Sequence, residues 1–498
     1  MRSTRRGVTL VAMGIAALTA ASVCGQQEPL AENWYAIYMM GQKAGYQHEV
    51  VVEEAGPDGP TYRTDMHVEF ALKRANVPIR FIIEGMVRED AEGRVLAFRQ
   101  GMSGAMSLVS QGRREDDQMV IESRAGGLPT SSRVPAHDGL GPWALQRLRE
   151  KMGHEPETTF TARAFSPEAP ATPVVLTVTI VGKEDVQVFE VTKRLHRADS
   201  RVEIKGRAIP SSEWFDDSGT VWLITVPLGG MVLECRKATE ALATSPDDPA
   251  DILAESFVRP NRPIPRPRSL DRLRLLVKPL AGDAAALGLE SGPFQEAETA
   301  DGGVLVTLRR AVGTPELSYP LPYDGEEHAK LVRPNVLMES EDPLIVRLTQ
   351  AAVGEETDAL KAARRIEAYV RETITAKNLN LGFASAVEAA SQRTGDCSEH
   401  AVLAAAMARA AGMPSRVIGG LVYVAELPGA GGGGFGYHMW AEVFVGEWLP
   451  IDAALGGHDA THLALVRSGL NGTDDLFNIS AAISRVFGCI AVDVLEEE

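Results

Sequence analysis

The chain of 498 residues contains four cysteines, Cys24, Cys235, Cys397 and Cys489. So few exclude a disulfide-built scaffold, which packs its cysteines far more densely. No paired Cys-x-x-Cys occurs, so the commonest structural zinc arrangement is missing as well. Basic residues are in deficit. There are 50 Lys and Arg against 67 Asp and Glu, a formal net charge of −17. An acidic surface disfavours nucleic acid and anionic membrane as partners. Beyond the first residues, no apolar run is long enough to span a bilayer. The one low-complexity segment, Gly429-Ala-Gly-Gly-Gly-Gly434, lacks the Lys and following helix of a phosphate loop. It precedes His438, and a flap over a nearby site is the expectation. No internal repeat is present.

What is there is ordinary in bulk. The apolar fraction is 45% and the charged fraction 23%, both usual for globular protein. The length suggests two to four domains. The start reads as a secretory signal peptide over residues 1–25. Arg2, Arg5 and Arg6 precede an apolar run at residues 8–21, and Ala20, Ala21, Ser22 and Gly25 supply small residues for cleavage. Export to the periplasm or cell envelope is therefore expected. Lipidation at Cys24 is the alternative, though Val23 before it fits that signal poorly. Cleavage leaves three cysteines, an odd number in an oxidising compartment, so at least one thiol stays free or pairs with another chain. A lone cysteine is most often a small buried hydrophobe, and Cys235 and Cys489 suit that role.

Residues 30–250 read as a β-rich N-terminal domain. Short alternating runs at residues 34–39, 46–52, 79–87 and 174–181 are punctuated by turn residues. One helix is expected at residues 141–152. An antiparallel meander, sandwich or partial barrel follows, and no catalytic grouping stands out in it. Pro260, Pro263, Pro265 and Pro267 mark residues 251–269 as a linker. A small β unit follows at 270–335. At 336–470 the period becomes helical first and strand-like afterwards. A C-terminal extension covers 471–498.

Cys397 stands apart from the other cysteines. It lies in Arg393-Thr-Gly-Asp-Cys-Ser-Glu-His400, ahead of an alanine-rich run ending at Gly412 and Pro414. Asp396 and Glu399 have capping-box spacing, so Cys397 falls in the first turn of a helix. Unpaired N–H groups and the helix dipole there favour a thiolate and can hold an oxyanion. Asp396 and Glu399 act in the opposite direction, so a cationic partner is wanted. His438 opens a strand, Tyr437-His-Met-Trp-Ala-Glu-Val443, and Asp452 ends the next, Trp448-Leu-Pro-Ile-Asp452. A two-residue turn would leave Asp452 on the wrong face, so a three-residue loop or a bulge is required. With that register the set forms a nucleophile, base and orienter. His400 is expected to support the helix or the site rim, and Trp440 to wall the site or fill the core. A zinc set drawn from Cys397, His400, His438, His458 and His462 is the competing reading.

These three motifs resemble those of the bacterial transglutaminase-like superfamily, in the order Cys, His, Asp. Arg409-Ala-Ala-Gly-Met-Pro-Ser-Arg416 resembles the continuation of its nucleophile motif. The resemblance spans residues 342–457. It implies an α+β fold, a C-terminal papain-like transglutaminase core preceded by the antiparallel β-rich N-terminal part. It implies Cys397, His438 and Asp452 as catalytic residues, with no cofactor and no metal. It implies attack on an amide carbonyl of a protein or peptide through a thioester. One position departs from the family, which has proline where this chain has Ala453, and a looser turn at Asp452 is the consequence expected. A binding or scaffold protein that retains the fold without the activity is the alternative.

Overall fold

The structure is a computed structural model. It describes residues 28–498 except 75–76, 105–107, 126–127, 152, 168, 205–206, 229–230, 251–256, 281, 377–383, 427–431 and scattered positions within 472–487. The expected signal peptide, Cys24 and residues 429–431 of the glycine-rich loop lie outside the described residues. No helix among those described is long and apolar enough to cross a membrane.

The N-terminal part is one antiparallel sheet of 14 strands. They are β1 (Ala31–Met39), β2 (Gln42–Gly56), β3 (Gly59–Arg74), β4 (Val77–Asp90), β5 (Val95–Ser103), β6 (Leu108–Glu115), β7 (Gln118–Ala125) and β8 (Leu128–Pro135). After helix α1 (Pro142–Lys151) come β9 (Thr159–Ala164), β10 (Val174–Val188), β11 (Val191–Ile204), β12 (Arg207–Phe215), β13 (Val221–Leu228) and β14 (Met231–Lys237). Each half is a meander, and the halves join where β1 pairs with β14. The long hairpins form because alternating apolar residues share one face while turn residues close each end.

Helix α1 reveals the curvature. The Glu89 carboxylate of β4 accepts from the Trp143 and Ala144 N–H groups at its start. Arg149 near its end pairs with Glu213 of β12 at 2.9 Å, and Leu148 packs with Phe160 of β9. β4 and β9 are nine places apart in the sheet, roughly 43 Å if flat. A helix only about 10 Å wide cannot touch both unless the sheet curls around it. The concave side holds a cavity of about 610 Å³, lined by Tyr35, Glu49, Arg149 and Glu213 among others.

A short helix, α2 (Glu240–Ala243), leads toward the C-terminal region. The proline-rich segment is strapped down rather than free over its described part. Val258 exchanges backbone hydrogen bonds with Phe435 in both directions at 2.8 Å, and the Ile264 N–H donates to the Tyr423 hydroxyl. Next come β15 (Arg272–Pro279), β16 (Gln295–Ala300) and β17 (Gly303–Arg309). The chain's last strand returns to pair with β15, so the ends of this region share one four-stranded sheet.

Four helices follow, α3 (Pro343–Val353), α4 (Ala359–Thr373), α5 (Ala386–Gln392) and α6 (Cys397–Ala410). The second four-stranded antiparallel sheet has β18 (Ser415–Val424), β19 (Gly434–Phe444), β20 (Trp448–Ile451) and β21 (His462–Ser468), in the order β20-β19-β18-β21. The final strand, β22 (Ile490–Glu497), is the one paired with β15. α6 lies at the centre of the core, and every residue from Ala401 to Ala408 is buried. Alanine explains this, because an alanine-rich helix lets α3, α4 and α5 pack close on one side and β19 on the other. Met439, Ala441 and Val443 supply the apolar face of β19 in this core. The whole is β-rich, with antiparallel sheets and few helices.

Candidate functional site

Helix α6 begins where its sequence signals said it would. Asp396 caps it, its carboxylate accepting from the Ser398 N–H at 2.9 Å and the Ser398 hydroxyl at 2.6 Å. Glu399 completes the capping box by accepting from the Asp396 N–H at 2.8 Å. Its other oxygen accepts from the Ala384 N–H. Glu399 is fully buried, and that burial, with the Asp396 carboxylate beside it, pushes its pKa well above the usual range. A carboxyl biased toward its neutral form opposes a thiolate at Cys397 less than the formal charge suggests.

Cys397 is half-buried at this helix start and free of disulfide. Cys235 and Cys489 are free as well. Burial pushes the Cys235 thiol up to about 12 and raises that of Cys489, which suits inert thiols.

The turn between β19 and β20 has three residues. Phe444 pairs with Trp448, leaving Val445, Gly446 and Glu447 in the loop. This is one of the two registers that bring Asp452 onto the His438 face. His438 Nε2 donates to Asp452 Oδ2 at 2.7 Å, with the side chains only 7% and 1% exposed. Asp452 is tied down further. Its Oδ1 accepts from the Ala454 and Leu455 N–H groups, and its own N–H donates to Glu367 of α4. Ala453 therefore does not loosen the turn, which the Asp452 side chain closes itself.

A residue that sequence reasoning weighed only as a zinc ligand completes the cluster. His462 Nε2 donates to the same Asp452 oxygen at 3.0 Å. Its Nδ1 faces the Asp459 carbonyl at 3.1 Å and the Asp459 carboxylate at 3.4 Å. Burial alone would lower this imidazole, yet Asp452 and Asp459 lift it to about 9. Burial alone would also raise Asp452, but His438 and His462 outweigh it and hold the carboxyl far below the usual range. Asp459 in turn is bonded by the Arg268 guanidinium from the proline-rich segment, which also donates to the Tyr423 carbonyl.

Sheet register explains the convergence. Gly420 of β18 lies between His438 of β19 and Ala464 of β21. Directly opposed residues share a face, and so does His462, two residues from Ala464. A Cβ on Gly420 would run into the Leu463 carbonyl and the Trp440 ring. The absent side chain is where Trp440 lies, edge-on to His462 at 5.1 Å and near-parallel to His438 at 6.0 Å. Trp440 is buried and both fills the sheet face and walls the cluster. On α6, the His400 ring is bonded to the Asp396 carbonyl at 2.6 Å. Burial lowers its pKa, and the charges of Asp452 and His438 act on it from across the packing. The His438–Asp452 pair is thus in direct contact, and it lies within electrostatic reach of the first turn of the helix that begins at Cys397.

Among the described residues, two groups bring three ligand-type atoms within 4.8 Å: His154, His196 and Asp217 in the β-rich part, and His438, Asp452 and His462. Hydrogen bonds join part of the first and all of the second. Asp217 takes Lys183 at 2.6 Å and His196 at 2.8 Å, and Asp452 takes the two imidazoles. His458 stacks on His462 with ring centres 4.4 Å apart.

Residues 346–453 match the family model of the transglutaminase-like superfamily core, a similarity that suggests a thiol-dependent hydrolase or acyltransferase. Three solved structures resemble the chain at low identity. A candidate cysteine protease from Cytophaga hutchinsonii is 14% identical, with a TM-score of 0.29, over 46% of this chain and 85% of that one. A β-barrel-like protein of the domain of unknown function DUF1849 from Brucella abortus is 11% identical, with a TM-score of 0.31, over 42% and 95%. A candidate protease from Parabacteroides distasonis is 11% identical, with a TM-score of 0.18, over 82% and 69%. No curated protein matches the chain.

Proposed function

We propose that the C-terminal region is an α+β, papain-like catalytic domain that cleaves or transfers amide-linked acyl groups through Cys397, His438 and Asp452. The observation that carries this reading is the buried 2.7 Å bond between His438 and Asp452, in the domain whose central helix starts at Cys397. With Nε2 engaged by Asp452, Nδ1 of His438 is left to take the thiol proton. The thiolate sulfur then attacks the amide carbonyl, and its oxygen takes the negative charge. N–H groups at the start of α6 are the natural donors to that oxyanion. His438 returns the proton to the departing amine, the C–N bond breaks, and a thioester remains on Cys397. Water or a second amine, deprotonated by His438, attacks the thioester and regenerates the thiol. Asp452 fixes the tautomer and stabilises the imidazolium.

The substrate in this reading is a protein or peptide outside the cytoplasm, reached through the N-terminal signal. The curled β-rich part supports or binds. The test is to incubate the purified protein with envelope extract, quench in acid and map Cys397 by mass. A hydroxylamine-sensitive adduct on Cys397, missing in Cys397→Ala and weak in His438→Ala, is expected. An unmodified Cys397 under all conditions favours the scaffold alternative.

A further inference from the structure

We propose that His462 is a positioning residue of this site, a buried cation that fixes the Asp452 carboxylate against His438 and sets the electrostatic potential around the reacting pair. The inference rests on the reading of Cys397, His438 and Asp452 given above, and adds to it a fourth side chain that does not touch substrate.

The geometry carries it. Asp452 Oδ2 accepts from two imidazoles, His438 at 2.7 Å and His462 at 3.0 Å, while Oδ1 is held by two backbone N–H groups. Every lone-pair direction of the carboxylate is therefore used, and the group cannot rotate away from His438. His462 Nε2 is engaged by Asp452, and its Nδ1 lies 3.1 Å from the Asp459 carbonyl and 3.4 Å from the Asp459 carboxylate, nearer the carbonyl than the Asp459 N–H, which stands at 3.3 Å. His462 is 2% exposed, so no water substitutes for either partner. Asp459 is anchored beneath it by Arg268, by the Thr461 N–H at 2.7 Å and by the Thr461 hydroxyl at 2.6 Å. A continuous chain of hydrogen bonds thus runs from Arg268 through Asp459, His462 and Asp452 to His438.

The groups facing His462 come from several elements. Asp459 and His458 belong to its own loop, Arg268 to the proline-rich segment, and His438 to β19. Around its partners, Glu367 of α4 accepts from the Asp452 N–H, Arg364 of α4 acts on His458, and His400 of α6 feels Asp452 and His438. Asp452 and Asp459 together balance His462 and Arg268. His458 stacks on His462 and stays neutral, because burial first and the His462 charge second lower its pKa.

The chemical consequence is specific. Taking away a cation raises the pKa of each titrating neighbour. The proposal therefore predicts that His462→Gln moves both inflections of the Cys397 alkylation–pH profile upward, by about one pH unit. A merely structural residue would lower the amount of folded protein and leave the inflections in place. Unmoved inflections in soluble, folded His462→Gln overturn the proposal.

A second measurement is independent of catalysis. In full-length protein labelled with ¹⁵N-histidine, one ring should carry protons on both nitrogens at pH 7.5 and be lost in His462→Gln. A neutral His462 ring at that pH overturns the proposal even if Cys397 is reactive. Conversely, wild-type alkylation no faster than in His438→Ala sinks the catalytic reading and leaves the ring measurement to decide the state of His462.

Discussion

His438 Nε2 lies 2.7 Å from Asp452 Oδ2, and both side chains are almost completely excluded from solvent. A carboxylate in that setting is stable only while its donors stay in place. Asp452→Ala should therefore destabilise the domain by roughly 3–5 kcal/mol, measured as a lower urea midpoint at pH 7. Because the folded carboxyl is held low, its contribution is fully present above the unfolded value of about 4 and is lost as pH falls through the folded value. Asp452→Asn should accordingly flatten the acid limb of the stability curve. An unchanged acid limb would contradict the assignment.

His462 has the opposite sign. Its folded pKa is raised to about 9, against an unfolded value near 6.5. The stabilisation is complete below pH 6.5 and lost as pH rises through 9, a loss on the order of 3 kcal/mol. Urea midpoints measured between pH 6 and 10 should fall over that window in the wild type. In His462→Gln that fall should be largely gone.

Arg409 gives the motif after Cys397 a structural role. It is 2% exposed and donates to the carbonyls of Arg333, Ser415 and Gly469. Three separate segments are thereby tied to the end of α6. Arg409→Ala strands these acceptors and should lower stability by about 3 kcal/mol or more. Arg409→Lys should recover only part of it, since an ammonium cannot span the same fork. Thermal unfolding of the two variants checks the order.

Gly420 is where packing and site meet. Alanine there collides with Trp440 and the Leu463 carbonyl. Displacing Trp440 disturbs both histidines that rest on it. Gly420→Ala should reduce Cys397 alkylation at neutral pH at least about 10-fold and lower the unfolding temperature. Retention of full reactivity would show that the Trp440 wall is dispensable.

Much of this region could be read from local signals. Capping residues around Cys397, the helical period of α3 and α4 and the alternation of β19 are short-range features, and the helix starts follow them. The requirement that Asp452 share a face with His438 narrowed the turn to a three-residue loop or a bulge, and the first is what forms. The parts that escaped depend on long-range pairing. His462 meets Asp452 only because β21 adds to the far side of β18, and nothing near His462 announces that partner. Arg268 joins through a proline-rich stretch that reads as a spacer until its anchoring to Phe435 and Tyr423 is seen. In the β-rich part, strands are legible from alternation, while the curl around α1 depends on Glu89 and Glu213, each more than 50 residues from its helix partner.

The most direct test is the rate at which iodoacetamide labels Cys397 at pH 7, read by mass in wild type and in His438→Ala. An activated thiol predicts wild-type labelling at least about 10-fold faster. Equal rates, with both proteins folded, would contradict the account.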